Sequence, residues 1–130
     1  VYTLIIGFMI FFMSVVTPSV FKTLDEKNSR NFLRFIFPRM FLYGFILSFI
    51  ALLLSIYIRD QFLIIISVSV SILFLINVYI ITPKINFHRD QFNDGIMESE
   101  KVFKRFHLIS VLIFLVQLIS AISAIIVNNS

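Results

Sequence analysis

Four stretches of this 130-residue chain, 1–17, 40–58, 62–81 and 106–127, contain no aspartate, glutamate, lysine or arginine. A helix rising 1.5 Å per residue needs about twenty apolar residues to cross a hydrocarbon core of about 30 Å. Each run approaches or reaches that length. Lipid offers no partners to backbone N–H and C=O groups, so only helices or closed barrels can cross it. The runs lack the alternating polar positions of a barrel's lumen face, which leaves helices. The expectation is an all-α, polytopic membrane protein: one domain over 1–130, built as a four-transmembrane-helix bundle. Composition agrees, with 59% hydrophobic and 14% charged residues and a mean hydropathy of +1.00. Soluble chains hold about 45–50% and about 25% of these classes.

Val1 opens inside the first apolar run, with no initiator Met or basic flank. The run stays apolar to Val16 and then meets Thr17 and Pro18, without the small-residue cleavage pattern of a secretory leader. It therefore reads as a true span, open to a further turn from residues upstream. The absence of cysteine removes disulfides, thiolate metal sites and cysteine nucleophiles from consideration.

Orientation follows from the basic residues, which are retained on the cytoplasmic side of short loops. Lys22, Lys27, Arg30, Arg34 and Arg39 fall between the first and second runs; Lys84, Arg89, Lys101, Lys104 and Arg105 fall between the third and fourth. Only Arg59 lies in the middle connection. The expected topology is N-out and C-out in a bacterial inner membrane, with the basic loops facing anionic headgroups. The net charge of +4 and the pI of 9.7 are then a topology signal. They do not mark a nucleic-acid surface, and the expected partners are the bilayer, a second copy or another membrane protein.

The connection Arg59-Asp60-Gln61 is so short that the second and third helices must be antiparallel neighbours. In the third loop an Asn93-Asp94-Gly95 turn precedes Glu100 and Lys104, whose i,i+4 spacing favours a helix. A helix over 95–127 running straight into the fourth span would be about 50 Å long. The two halves also resemble each other. Thr17-Pro18 ends the first span and Thr82-Pro83 the third; Phe32-Leu33-Arg34-Phe35 precedes the second and Phe103-Lys104-Arg105-Phe106 the fourth. Two tandem helical hairpins fit this pattern, and duplicated units often place a site between them.

Small or polar stripes mark expected helix contacts, because small residues let backbones approach in lipid. Thr3, Gly7, Ser14 and Thr17 form one on the first span, and Gly44, Ser48, Ala51 and Ser55 another on the second. His107, Ser110, Gln117, Ala121 and Ala124 share a broader face on the fourth. Ser67, Ser69, Ser71 and Asn77 scatter around the third.

Pro18 with Phe21 and Leu24, Phe37-Pro38-Arg39 at the entry to the second span, Asn77 with Pro83, and Phe106-His107 with Ser110 carry a family resemblance over nearly the whole chain. The chain resembles the small membrane proteins of unknown function that include transmembrane protein 205 and the bacterial proteins with domain of unknown function 4149. The resemblance implies a four-helix fold and no settled activity. That family is similar in turn to copper resistance D proteins and to the four-helix protoporphyrinogen oxidase, which implies haem or copper handling.

Candidate site residues follow from where polarity enters the hydrocarbon. Asn77, His107, Ser110 and Gln117 are candidates for a ligand site or polar path. Arg34 and Arg39 are candidates for anionic lipid, and His88 with His107 for a metal. The leading expectation is a protein that binds or moves a small ligand, metal or lipid between its hairpins, more a binder than an enzyme. A haem- or metal-dependent redox enzyme and a structural subunit of a membrane complex are the alternatives. No aspartate or glutamate lies within a span, which argues against a proton-coupled exporter.

Overall fold

The computed structural model describes residues 1–128. Four rods follow in order: α1 (Tyr2–Thr23), α2 (Glu26–Ile58), α3 (Gln61–Asn93) and α4 (Ser99–Asn128). All four are long and apolar enough to cross a membrane. They pack in a ring in which each rod touches its sequence neighbours and α1 closes against α4. Leu4, Ile65, Tyr79, Ile119 and Ile126 remain exposed around the outside, the surface that a lipid solvent permits and water would not.

The segments expected as basic loops are helical instead. α2 and α3 each run 33 residues, about 50 Å, so both project well beyond a 30 Å core. Lys27, Arg30, Arg34 and Arg39 all ride on α2, and Pro38, expected at its entry, lies inside it. What remains of the first loop is Leu24 and Asp25. The Asp25 carboxylate accepts a 2.7 Å bond from the Asn28 amide and so caps α2, while the buried Ser29 hydroxyl donates back to the Val20 and Leu24 carbonyls. The second tip turns at Gly95, whose φ of +100° suits a residue without Cβ. α4 therefore begins at Ser99 rather than at 95, and Ser99 Oγ donates to Gln91 Oε1 at 3.0 Å.

Arg59 ends α2 in the left-handed conformation (φ 59°), an uncommon place for a residue with a Cβ. Its amide donates to Ile56 O and that of Asp60 to Ser55 O, closing the helix as a glycine commonly does. Asp60 then caps α3 by accepting from Leu63 N at 3.2 Å. The antiparallel α2–α3 pair follows from this tight turn.

Both α1 and α3 contain one π-helical turn, Phe12–Val16 and Asn77–Ile81, at the same 65-residue offset as the two Thr-Pro pairs. The cause is local: proline has no N–H to give the carbonyl four residues back, and its ring crowds that carbonyl. The helix widens just ahead, and Thr17 and Thr82 donate to the carbonyls of Phe12 and Asn77, five residues back. The tandem likeness between the halves is thus structural as well as sequential.

Of the stripes, that on α2 is packed: Gly44, Ser48, Ala51 and Ser55 are all buried. On α4, Gln117, Ala121 and Ala124 are buried while His107 stays exposed. The stripe on α1 points the other way. Thr3, Gly7 and Ser14 are exposed, and Ile5, Met9 and Phe12 face the core, because the large apolar side chains fill the ring's centre. On α3, Ser67 and Ser71, four residues apart, share a buried face, and Ser69 alone turns out to bond Ile65 O.

Candidate functional site

The two hairpin tips diverge at the basic end. Tyr2–Phe11 packs along α4, whereas Thr17–Thr23, after the π-turn and Pro18, follows α2. In the same way Thr82–Asn93 follows α4. Between the tips lies a cleft of about 720 Å³, within the range of small-molecule sites. All four rods line it.

Its floor is apolar and aromatic: Phe12, Met40, Phe41 and Phe114, with Leu33, Phe37 and Ile85 on the walls. Its mouth is polar. Glu26, Arg30 and Arg34 come from α2, Thr82, Asn86 and Arg89 from α3, and His107 and Ser110 from α4. Residues 30, 33, 34, 37 and 41 fall on one face of a helix, which is why α2 supplies both wall and charge.

Arg34 reaches across the gap. Its Nη2 lies 2.7 Å from Asp90 Oδ1 and 3.3 Å from the Asn86 carbonyl, with both side chains about half exposed. Neither Arg30 nor Arg89 forms a salt bridge among the described residues, although Asp90 attracts Arg89 at longer range. Arg89 lies 5.3 Å from the Phe103 ring, and Arg30 and Arg34 are close enough to repel it. Three cations against Glu26 and the engaged Asp90 leave the mouth positive.

Toward the opposite end the bundle is closed. Phe74, fully buried, turns its ring edge to Gly44 and belongs to the same core cluster as Ile5, Met9, Phe41 and Val70. Past it stands a ladder of hydroxyls: Ser71 donates to Ser48 at 3.0 Å, Ser55 and Ser67 lie 3.5 Å apart, and Tyr2 bonds Ser67. These satisfy one another and join α2, α3 and α1.

The structure brings Arg34, His107 and Ser110 to the cleft and leaves the other candidates elsewhere. Arg39 stacks 3.6 Å over Phe35 and donates to its carbonyl at 3.0 Å, so it lies along its own helix. Gln117 Nε2 donates to the Val70 carbonyl at 3.1 Å, tying α4 to α3, while its Oε1 is unpartnered. Asn77, fully buried on the second π-turn, has neither amide atom bonded among the described residues. His88 stacks on Phe106 with ring centroids 6.0 Å apart, its Nδ1 buried and unpartnered. Phe106 and His107 project about 100° apart on α4, so the two histidines occupy different surroundings. Among the described residues no three His, Cys, Asp or Glu side chains cluster as a metal site. His107 is the one imidazole among the residues lining the cleft, so the expected pairing of His88 with His107 as metal ligands is not formed.

Arg30, Arg89 and Asn86 were not apparent as site residues in the sequence. Their signal was helical spacing, Arg30 with Arg34 and Asn86 with Arg89, in segments read as loops.

No curated protein and no solved structure matches the chain. A family model does, over residues 1–93, which takes in α1, α2 and α3 and therefore the arginines of the cleft. By that match the chain belongs to the family described as Domain of unknown function (DUF4149).

Proposed function

We propose that the protein binds a small, largely apolar molecule in the cleft between its two hairpins, with the molecule's polar end at the basic mouth. The observation that carries this reading is the cleft itself. A space of about 720 Å³ floored by phenylalanine and methionine stands open at the end where the tips part. Close packing is the rule in protein interiors, and a folded bundle could have closed it with larger side chains. Counting basic residues by loop supports a cytoplasmic position for this end and N-out, C-out termini, as in a bacterial inner membrane.

A diazirine-bearing apolar amphiphile, photolysed in protein-containing nanodiscs, tests it. Labelling of peptides that contain Phe41 and Phe114, competed by unlabelled amphiphile, is the expected result. Labelling confined to outward residues such as Ile65 and Ile126, without competition, would refute it.

A further inference from the structure

The geometry points to an anionic amphiphile of the adjacent membrane leaflet as the occupant, entering sideways between α1 and α4 and placing its acidic group between Arg30 and Arg89. This deepens the cleft reading and rests on it.

Three observations converge. First, the cleft has a side door. Met13, Phe21 and Val111 line it and yet are 48%, 60% and 40% exposed, so its wall is continuous with the bilayer-facing surface. The door lies where Thr17–Thr23 leaves α4 to follow α2. On the other flank, between α2 and α3, Arg34 and Asp90 bridge the gap. A molecule already dissolved in lipid therefore meets apolar side chains on the α1–α4 side and an ion pair on the α2–α3 side.

Second, the mouth holds more positive than negative charge. Asp90 forms its salt bridge with Arg34 and acts on Arg89 only at longer range, so Arg30 and Arg89 line the same cleft with no salt bridge of their own among the described residues. Guanidinium forks suit carboxylate and phosphate oxygens, and a bound anion would relieve their mutual repulsion. Glu26 at the same mouth disfavours a second acidic group on the ligand.

Third, the dimensions match an amphiphile. From Arg30 to Phe41 is eleven residues of α2, about 16 Å, with charge at one end and aromatic rings at the other. A free phosphate would use only the mouth and leave the floor unfilled; a neutral apolar molecule would leave the arginines unpaired.

The chain has no tryptophan, so Phe114→Trp places a single reporter at the cleft floor. Detergent-purified protein carrying it is titrated with doxyl-labelled stearate and with the methyl ester of the same probe. Saturable one-to-one quenching by the stearate, and weaker quenching by the ester, is expected. Arg30→Gln with Arg89→Gln should weaken stearate binding about 10- to 100-fold, which is about 1.4–2.8 kcal/mol for the pair. Arg30→Lys with Arg89→Lys should recover part of it. Doxyl-labelled lysophosphatidate should quench as well as stearate or better, and inorganic phosphate should not displace either. Val111→Phe, at the door, should slow the approach to the same plateau.

Equal quenching by acid and ester, indifferent to the arginines, would overturn the anionic assignment and leave the apolar cleft standing. Displacement by inorganic phosphate would assign the mouth to a soluble anion and overturn the leaflet source. An unchanged rate in Val111→Phe would overturn the lateral route. No saturable quenching by any probe, with the far-UV spectrum unaltered, would sink the cleft reading itself.

Discussion

Replacing Gly44 by alanine tests the seal that closes the cleft. A Cβ there would lie 2.4 Å from Phe74 Cζ, 2.5 Å from Cε1 and 2.9 Å from Cε2. Those three atoms form one edge of the ring, so a small ring rotation cannot clear them all. Phe74 is fully buried among Ile5, Met9, Phe41 and Val70, so the ring cannot swing aside. Overpacking of this kind costs about 1–3 kcal/mol. Alanine returns up to about 1 kcal/mol of helix propensity over glycine, leaving a net loss of up to about 2 kcal/mol. In lipid, burying apolar surface gains little over the acyl chains, so the steric term dominates the outcome. Phe74→Leu withdraws the ring edge at about 1 kcal/mol, and in that background Gly44→Ala should become neutral or stabilising. The expected coupling in the four-variant cycle is about 1.5 kcal/mol or more. Equilibrium unfolding in mixed micelles of rising SDS fraction, followed by far-UV circular dichroism, measures it. Additive losses, or a stabilised single variant, would show that Gly44 and Phe74 are not in contact and that the seal is misplaced.

Arg59→Gly should stabilise the α2–α3 turn by about 1 kcal/mol in the same assay, because Arg59 holds a φ of 59° that glycine adopts without Cβ strain. Asn77→Leu should raise stability by about 1–3 kcal/mol, since neither amide atom has a partner and leucine removes that desolvation cost; a loss instead would mean that Asn77 is hydrogen-bonded through a group such as water. Arg34→Ala should change stability by less than about 1 kcal/mol, as expected for a half-exposed ion pair. It should nevertheless broaden and lengthen the spin-label distance between the α2 and α3 tips, measured by pulsed electron resonance.

The bundle was legible because its governing signals are long and redundant. An uncharged run such as 62–81 has one physical outcome in lipid, and Arg59-Asp60 leaves its flanking helices no choice but to pair. The basic tips were harder to read. Hydropathy marks where lipid ends and says nothing about whether the backbone stays helical beyond it, so Glu26–Pro38 and Thr82–Asn93 looked like loops. With those turns went the i,i+4 relation of Arg30 to Arg34 and the face that carries Arg89, and the cleft went unseen. Arg39 shows the converse limit: its position beside a span is plain in the sequence, but the stacking of its guanidinium on Phe35 is not. The α1 stripe misled for a third reason: Gly7 and Ser14 fall on the side opposite Ile5 and Met9, and a small residue marks close approach only where a neighbouring helix lies on its side.

Thiol accessibility locates the opening of the bundle, because the chain has no cysteine of its own. Single variants Ser110→Cys, in the cleft, and Ser71→Cys, beyond the Gly44–Phe74 layer, are exposed to a charged, membrane-impermeant methanethiosulfonate in right-side-out and inverted vesicles. The account predicts that Ser110→Cys reacts in inverted vesicles alone and that Ser71→Cys reacts in neither. Modification of Ser110→Cys from the right-side-out face, or of Ser71→Cys from either face, would contradict a bundle that opens only between its basic tips.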